Sequence, residues 1–314
     1  MFYRLLKIYA RFAIRIYCRR IIINKPELLK AKGPLLLAAN HPNSFLDGII
    51  LTTLFDEPVY SLARGDAFKK KSIDSLLRSL QLLPVYRTSE GTENLEQNYT
   101  TFAACRKTFE QGGIILIFSE GRCENEWHLR PLKKGTARLA LTSWQQSIPL
   151  KVIPTAFNYS SFKKFGKEMH LFFGEEIKSD SILKEETEGK RLLAFNDNLE
   201  HQLKQLVYEI KPDEKTKIKN LFPLKKVASF YFLLLPAFFG WIFHAPLFYL
   251  AKIIASRFRD SGHYDSVLHG LLILSYPIYL ILVFVLVWFL HPVLAFTSLV
   301  ILPFTAWAAV QVGL

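Results

Sequence analysis

Three long apolar segments near the C-terminus constrain the fold of this chain most strongly. Residues 267–290 and 292–310 contain no Asp, Glu, Lys or Arg, and residues 227–254 contain one charge, Lys252. Each segment is long enough to cross the roughly 30 Å of hydrocarbon in a bilayer. Because only the His291-Pro292 step separates the last two segments, they predict a transmembrane hairpin over residues 267–311.

The first apolar segment permits two arrangements. Pro236, Gly240 and Pro246 interrupt it, and basic residues lie on both sides of it. Since Lys and Arg favour the cytoplasmic side of a membrane, we predict a re-entrant or interfacial hairpin over residues 227–256 that turns near Gly240. A single crossing is the alternative. Together, residues 221–314 form the predicted membrane region.

The N-terminal region predicts a basic amphipathic helix. Its positive side chains recur every three or four residues, at Arg4, Lys7, Arg11, Arg15 and Arg19. No acidic residue precedes position 27, and apolar side chains cover much of the remaining helical surface. We therefore assign residues 1–30 to a helix that lies on an anionic bilayer surface with its apolar side down. The alternative is an ordinary amphipathic helix docked on the folded domain.

The composition limits the classes of molecule that this chain is expected to bind. The chain has 40 Lys and Arg against 27 Asp and Glu, a net charge of +13, and half of its 314 residues are hydrophobic. A basic excess suits nucleic acid, anionic headgroups or anionic metabolites, but the apolar content and the lack of a basic motif interleaved with aromatic residues argue against nucleic acid. Cys18, Cys105 and Cys123 have no metal-type spacing, so neither a metal site nor a disulfide framework is predicted.

Residues 31–220 have the pattern of a separate α/β domain. Short apolar runs of strand length alternate with longer mixed segments of helical length. The predicted strands cover residues 35–39, 59–63, 82–86, 114–118, 150–154 and 169–173. Helices are predicted over residues 94–110 and 136–146. This alternation predicts an α/β fold with a mixed, mainly parallel sheet flanked by helices.

The candidate catalytic residues follow the first of these strands. His41 lies in the turn after residues 35–39, and Asp47 lies near the start of the next predicted helix. Open α/β sheets bind ligands beyond the carboxyl ends of their strands, and a His oriented by a carboxylate can take a proton from a hydroxyl. The alternative is a solvated loop His beside residues that cap the helix.

Other polar residues follow other predicted strands. Residues 114–118 lead into Glu120 and Gly121, where a carboxylate can orient a polyol hydroxyl and a glycine permits close backbone approach. Arg64 and Arg87 follow the second and third predicted strands. Their guanidinium groups suit phosphate oxygens. Each of these features also occurs in plain turns.

Taken in order, these segments resemble the four motifs of the glycerolipid acyltransferase (PlsC-like) superfamily. Asn40-His41 followed by Asp47 resembles the first motif, and Arg64-Gly65-Asp66-Ala67-Phe68 resembles the second. Residues 118–122 are similar to the third motif, and the Pro-containing strand 148–154 is similar to the fourth. The resemblance implies a catalytic pair, His41 and Asp47. The substrate-binding residues that it implies are Arg64, Gly65, Phe68, Arg87, Glu120, Gly121 and Arg122.

The chain departs from the family pattern at two places. Five residues separate His41 from Asp47, where most members have four, and this spacing resembles the glycerol-3-phosphate acyltransferase branch. Ser119 and Cys123 replace the Pro and the Arg of the third motif. The phosphate-binding role of that Arg is left to Arg122, to Arg130 or to the pair Lys133-Lys134.

The resemblance implies an enzyme that needs no cofactor. It would transfer a fatty acyl group from acyl-CoA or acyl carrier protein to a hydroxyl of glycerol-3-phosphate or lysophosphatidic acid, with its active domain facing the cytoplasm. His41 would act as general base and no covalent acyl-enzyme would form. The alternative function is a non-catalytic membrane protein that uses the same fold to bind lipid or to scaffold partners.

Overall fold

A computed structural model describes residues 2–86, 95–211, 213–223, 230–259 and 261–313. Its centre is one seven-stranded sheet with the strand order β1-β7-β6-β2-β5-β3-β4. The strands are β1 (Cys18–Ile23), β2 (Leu35–Ala39), β3 (Val59–Arg64), β4 (Leu82–Val85), β5 (Ile114–Phe118), β6 (Lys151–Tyr159) and β7 (Lys167–Phe173). Neighbouring strands are parallel except β6 and β7, which are antiparallel. The predicted mixed, mainly parallel sheet is therefore confirmed.

Helices cover both faces of this sheet. They are α1 (Phe2–Tyr17), α2 (Ser44–Leu54), α3 (Lys71–Ser79), α4 (Leu95–Glu110), α5 (Gly135–Gln145), α6 (Ser179–Leu183), α7 (Glu188–Leu206) and α8 (Lys215–Leu221). Along β2, Leu36 and Ala38 belong to one hydrophobic core, whereas Leu35, Leu37 and Ala39 belong to the other. Successive side chains of a strand point to opposite faces, so β2 is buried on both sides and fixes the centre of the domain.

The N-terminal helix is shorter than predicted. It ends at Tyr17, and the assignment of residues 1–30 to a single helix is wrong, because residues 18–23 form the edge strand β1. The β-branched run Ile21–Ile23 favours a strand, and β1 pairs in parallel with β7. Residues 18–23 are thus part of the α/β domain.

Helix α1 is docked on this domain but keeps an exposed apolar stripe. The Lys7 ammonium contacts the backbone oxygens of Asp56 and Glu57, and the Arg11 guanidinium donates to the Thr53 oxygen at the end of α2. These two basic side chains therefore stabilise the C-terminal end of α2, where positive charge is favourable. Large exposed apolar side chains remain at Leu5, Ile8 and Phe12. This stripe suits contact with a membrane surface.

Three C-terminal helices are long enough and apolar enough to cross a membrane. They are α9 (Phe230–Ser256), α10 (Tyr264–Trp288) and α11 (Pro292–Val312). At 1.5 Å per residue, even the 21 residues of α11 extend for about 32 Å. The tight connection at His291-Pro292 agrees with the predicted helical hairpin over residues 267–311.

The predicted turn near Gly240 is wrong, since Phe230–Ser256 form one continuous helix. Gly240 instead marks a close approach between helices. A Cβ atom at this position would lie 2.1 Å from the backbone oxygen of Thr305 on α11. Small residues let helix backbones approach closely in membrane proteins. The glycine is therefore required by packing of α9 against α11 rather than by a turn.

Candidate active site

Four parallel strands end at one edge of the sheet and carry most of the candidate residues. β2 leads into His41, β5 into Glu120, and β3 ends at Arg64. β6 runs in the same direction and ends at Tyr159. The carboxyl ends of parallel strands form the edge at which open α/β folds bind ligands. The strand directions therefore bring His41, Arg64, Glu120 and Tyr159 to the same edge of the sheet.

His41 and Asp47 are in direct contact. The Nδ1 atom of His41 lies 2.9 Å from Oδ2 of Asp47. The same oxygen accepts the backbone N–H of Asn43 at 2.9 Å, and Oδ1 accepts the hydroxyl of Tyr159 at 2.7 Å. Asp47 is fully buried, so its charge needs these donors. The carboxylate holds Nδ1 and leaves Nε2 of His41 for proton transfer.

The extra residue between His41 and Asp47 is accommodated in the turn before α2. Ser44, the first residue of the helix, has a φ of 49°. Non-glycine residues rarely adopt this left-handed conformation, and surrounding contacts must hold it. The turn brings His41 back over the first helical turn, where Asp47 lies. Two residues six apart in sequence thus meet although one straight helix would separate them.

Aromatic and amide contacts fix His41 further. Its imidazole stacks on the ring of Phe118, with ring centroids 3.7 Å apart and planes 14° from parallel. Before it, the side-chain amide of Asn40 donates to the Phe157 oxygen and accepts the Phe157 N–H. Asn40 therefore joins β2 to β6 where β2 ends, and Phe118 limits the tilt of the imidazole.

Glu120 is buried and braces two loops. Its Oε2 accepts the backbone N–H of His41 at 2.8 Å, and its Oε1 accepts the backbone N–H of Arg130 at 3.0 Å. Burial raises the pKa of Glu120 to about 8, and the nearby Asp47 charge adds to this effect, while the His41 N–H opposes it. Both carboxyl oxygens are thus used by backbone amides that shape the loop around His41.

The loop after β5, which resembles the third motif, brings Cys123 against the turn between His41 and Asp47. Gly121 has a φ of 72°, and a Cβ atom there would lie 3.0 Å from Cγ of Lys133. Cys123 Sγ accepts the backbone N–H of Ser44. Burial raises the pKa of this thiol, so Cys123 is protonated at neutral pH. Cys123 therefore supports the turn in a position where the family pattern has an arginine.

The basic candidates lie at the outer part of the edge. Arg64 pairs with Asp66, and Arg122 pairs with Glu124 at 3.5 Å; both arginine side chains are about half exposed. Arg130 is less exposed and pairs with Glu126. Lys133 is exposed beside Gly121.

The remaining second-motif candidates pack within the protein. A Cβ atom at Gly65 would lie 2.1 Å from the ring of Tyr86, so close packing on that ring requires a glycine. Phe68 is buried, with the Arg78 guanidinium 5.9 Å from its ring centroid. The prediction for Arg87 lies outside the described residues.

Sequence reasoning missed Tyr159 and the contacts made by α10. Tyr159 lies 112 positions from its partner Asp47, and Asp265 lies 222 positions from its partner Asn43. No local pattern reports pairings of this range. The one available signal for Tyr159 was its place after the fourth motif, at the same edge as the other candidates.

Comparisons with known proteins find acyltransferases. A family model described as Acyltransferase matches residues 20–158. A protein of Bacillus subtilis (strain 168) named 1-acyl-sn-glycerol-3-phosphate acyltransferase is 26% identical over 186 residues, which are 59% of this chain and 86% of that protein.

A solved structure is also similar. It is the 1-acyl-sn-glycerophosphate (LPA) acyltransferase PlsC of Thermotoga maritima, at 15% identity and a TM-score of 0.46, over 66% of this chain and 80% of that one. The family match spans the whole His41–Asp47 turn and the Glu120 loop, and the two catalytic candidates are joined by a hydrogen bond. Residues 20–158 therefore match the Acyltransferase family, and the chain resembles the glycerolipid acyltransferase superfamily.

Proposed function

We propose that this protein transfers a fatty acyl group from a thioester to a hydroxyl of a glycerol-phosphate acceptor at a membrane. The hydrogen bond between His41 Nδ1 and the buried Asp47 carboxylate carries this proposal. It provides a base of fixed tautomer whose Nε2 can remove a proton from an alcohol. The acyl donor is acyl-CoA or acyl carrier protein.

The reaction proceeds by direct attack. His41 Nε2 takes the proton of the acceptor hydroxyl as its oxygen attacks the thioester carbonyl. Collapse of the tetrahedral intermediate breaks the C–S bond, and the proton on His41 passes to the leaving thiolate. Asp47 stabilises the imidazolium that exists between these steps. Cys123 does not serve as the nucleophile, since its raised pKa keeps it as a thiol and its sulfur already accepts the Ser44 N–H.

The exposed arginines at the outer edge suit the acceptor phosphate. Arg64 and Arg122 pair with surface carboxylates, and such exposed pairs contribute only about 0–1 kcal/mol. A dianionic phosphate can therefore replace Asp66 and Glu124 at little cost. Arg87 is a further candidate for this role. Glu120, Gly121, Gly65 and Phe68 shape the surrounding loops.

Two acceptors are candidates. The name of the Bacillus subtilis relative favours lysophosphatidic acid, whereas the five-residue spacing between His41 and Asp47 favours glycerol-3-phosphate. The apolar helices α9–α11 and the exposed stripe of α1 support a position of the domain against a bilayer, from which a lipid acceptor can enter and into which the product can return. We propose that the domain faces the cytoplasm.

The test is an acyl-transfer assay with the full chain in lipid vesicles. Radiolabelled palmitoyl-CoA and palmitoyl carrier protein are each combined with glycerol-3-phosphate, lysophosphatidic acid or monoacylglycerol, which lacks the phosphate. We expect label in the phosphate-bearing product and none with monoacylglycerol. The more efficient acceptor, by kcat/KM, assigns the branch.

Two results would contradict the proposal. Folded protein that acylates neither phosphate acceptor would favour the non-catalytic lipid-binding function. A hydroxylamine-sensitive acyl group on the protein, formed before acceptor is added, would exclude direct attack in favour of a covalent intermediate.

A further inference from the structure

The first turn of the membrane helix α10 holds the catalytic loop. The Ser266 hydroxyl donates to the backbone oxygen of Asn43 at 2.8 Å and accepts the backbone N–H of Leu46 at 3.3 Å. The Asn43 side-chain amide donates to Oδ2 of Asp265 at 2.6 Å. The Ser44 hydroxyl lies 2.8 Å from Nδ1 of His263. Side chains from three residues of α10 and its cap thus contact the segment between His41 and Asp47.

Asp265 is in turn anchored to the sheet. It forms an ion pair with Lys167, the first residue of β7, and both side chains are fully buried. The Lys167 ammonium lies 5.8 Å from the ring centroid of Tyr159, whose hydroxyl donates to Asp47. A continuous set of polar contacts therefore connects α10 with the carboxylate that orients His41.

The catalytic loop needs such support. Ser44 has a φ of 49°, and a strained residue of this kind persists only where its surroundings over-determine it. Asp47 of the same loop accepts the Asn43 N–H, and Cys123 of the neighbouring third-motif loop accepts the Ser44 N–H. Residues of α10 and its cap form hydrogen bonds with other polar groups of this segment, which are the Asn43 carbonyl and side-chain amide, the Ser44 hydroxyl and the Leu46 N–H.

We propose that His263, Asp265 and Ser266 are positioning residues for the His41–Asp47 pair, so that the membrane helix α10 forms part of the active site. The effect on turnover rests on the proposed acyltransferase function, whereas the support of the loop does not. A displacement of about 1 Å at reacting groups can lower the rate by about 10²-fold. Loss of the α10 contacts should therefore reduce kcat. KM should stay nearly unchanged when Ser266 is replaced, since its hydroxyl contacts Asn43 and Leu46 of the loop, whereas His263 also interacts electrostatically with Arg64.

The test compares two serines of the same helix. Ser266→Ala removes the contacts to Asn43 and Leu46, whereas Ser275→Ala, the matched control, removes a hydroxyl that donates to the Leu271 oxygen within α10. His263→Ala removes the contact to Ser44, and His263→Asn restores a polar atom near the position of Nδ1. Asp265→Asn is a further variant, but it leaves Lys167 buried without a countercharge and can fail to fold.

Two quantities are measured for each variant in lipid nanodiscs. Hydrogen–deuterium exchange of the peptide that spans residues 40–47 reports on the loop without any activity. Acyl-transfer kinetics report on His41. We expect Ser266→Ala and His263→Ala to accelerate exchange in this peptide and to lower kcat by about 10–10²-fold, with KM unchanged in Ser266→Ala. His263→Asn should recover part of both, and Ser275→Ala should match wild type.

Exchange and kcat in Ser266→Ala and His263→Ala that equal those of Ser275→Ala would overturn this inference. Its failure is distinct from failure of the proposed function. If wild type transfers no acyl group but exchange in residues 40–47 rises in these variants, support of the loop by α10 stands and the acyltransferase proposal fails. If wild type is active and neither quantity changes, the reverse holds.

Discussion

The inner and outer halves of the candidate site are built differently. In the inner half, Asp47 is fully buried and accepts three hydrogen bonds, and both oxygens of buried Glu120 accept backbone amides. In the outer half, Arg64 and Arg122 are about half exposed and pair with the surface acids Asp66 and Glu124.

In the proposed function, this difference separates the residues that perform the chemistry from those that bind the acceptor. Burial and complete hydrogen bonding hold the His41–Asp47 geometry before substrate arrives, as preorganised catalysis requires. The exposed arginines change partners easily, because exposed ion pairs contribute little. We therefore expect substitutions in the inner half to lower kcat and substitutions in the outer half to raise the KM for the acceptor.

Asp47→Asn should give the largest effect. An amide in place of the carboxylate favours the wrong tautomer of His41 and cannot stabilise the imidazolium, so kcat should fall by about 10²–10⁴-fold while KM changes little. Steady-state kinetics with saturating donor check this. The matched control is Asp74→Asn on α3, whose carboxylate pairs with Arg78 on the surface. Equal losses in kcat for both variants would remove the distinction between the two halves.

Arg64→Ala and Arg122→Ala should raise the acceptor KM by about tenfold each, with kcat changed less than twofold. Charged hydrogen bonds contribute about 1.5–3 kcal/mol, and exposure reduces this figure. The expected increase applies to phosphate-bearing acceptors. Arg191→Ala serves as the control. Arg191 lies in the first turn of α7, at the opposite end of this helix from the last turn, which contacts Asn158 near the active edge.

A fall in kcat at constant KM for either arginine variant would contradict the proposed division of roles between the inner and outer halves of the site. It would assign that arginine to the transition state rather than to the phosphate of the bound acceptor. Determination of kcat and KM separately for glycerol-3-phosphate and lysophosphatidic acid distinguishes these outcomes.

Tyr159→Phe should have a smaller effect within the inner half. It removes one of three hydrogen bonds to Asp47 and leaves the aromatic ring in place. One neutral hydrogen bond contributes about 0.5–1.5 kcal/mol, so kcat should fall by about 2–10-fold. Tyr208→Phe is the matched control, because its hydroxyl contacts His170 instead. A Tyr159→Phe enzyme as active as the control would show that two donors suffice for Asp47.

Glu120→Gln should alter the pH dependence of stability. The folded-state pKa of about 8 exceeds the ordinary value of 4.5, so between these values the folded protein holds a proton that the unfolded chain has lost. This contribution to stability is therefore complete at low pH and is lost as pH rises toward 8. The slope for this group is at most about 1.4 kcal/mol per pH unit.

Glutamine at position 120 does not titrate, so wild type should lose stability relative to Glu120→Gln as pH rises from 5 to 8. Unfolding in detergent monitored at several pH values measures this difference. Parallel curves for the two proteins would mean that folding does not raise the pKa of Glu120.

Local sequence patterns predicted the centre of the domain well. Residues 35–39 and 114–118 form strands with the predicted bounds, because each apolar run is bounded by glycine or proline before it and by polar residues after it. Residues 18–23 were assigned to a helix because basic residues continue at helical spacing to Arg19. Pairing of the Ile21–Ile23 run with β7 overrides that spacing.

Long-range packing explains the other differences. The sequence around Gly240 has the composition of a turn, but the need for a glycine comes from close packing against Thr305 of another helix. The contacts of Asp265 and Ser266 with Asn43 join positions more than 220 residues apart. The sequence could predict which residues lie at the strand ends, whereas the side chains that fix their orientation come from distant segments.

His41→Ala tests the central claim most directly. Wild type, His41→Ala and His201→Ala, a control whose imidazole is on the exposed surface of α7, are compared for acyl transfer to the preferred acceptor in the same vesicles. If His41 is the general base, His41→Ala should lose about 10²–10⁴-fold in kcat, and His201→Ala should match wild type. A folded His41→Ala protein that retains wild-type kcat would contradict the claim that this histidine performs the reaction.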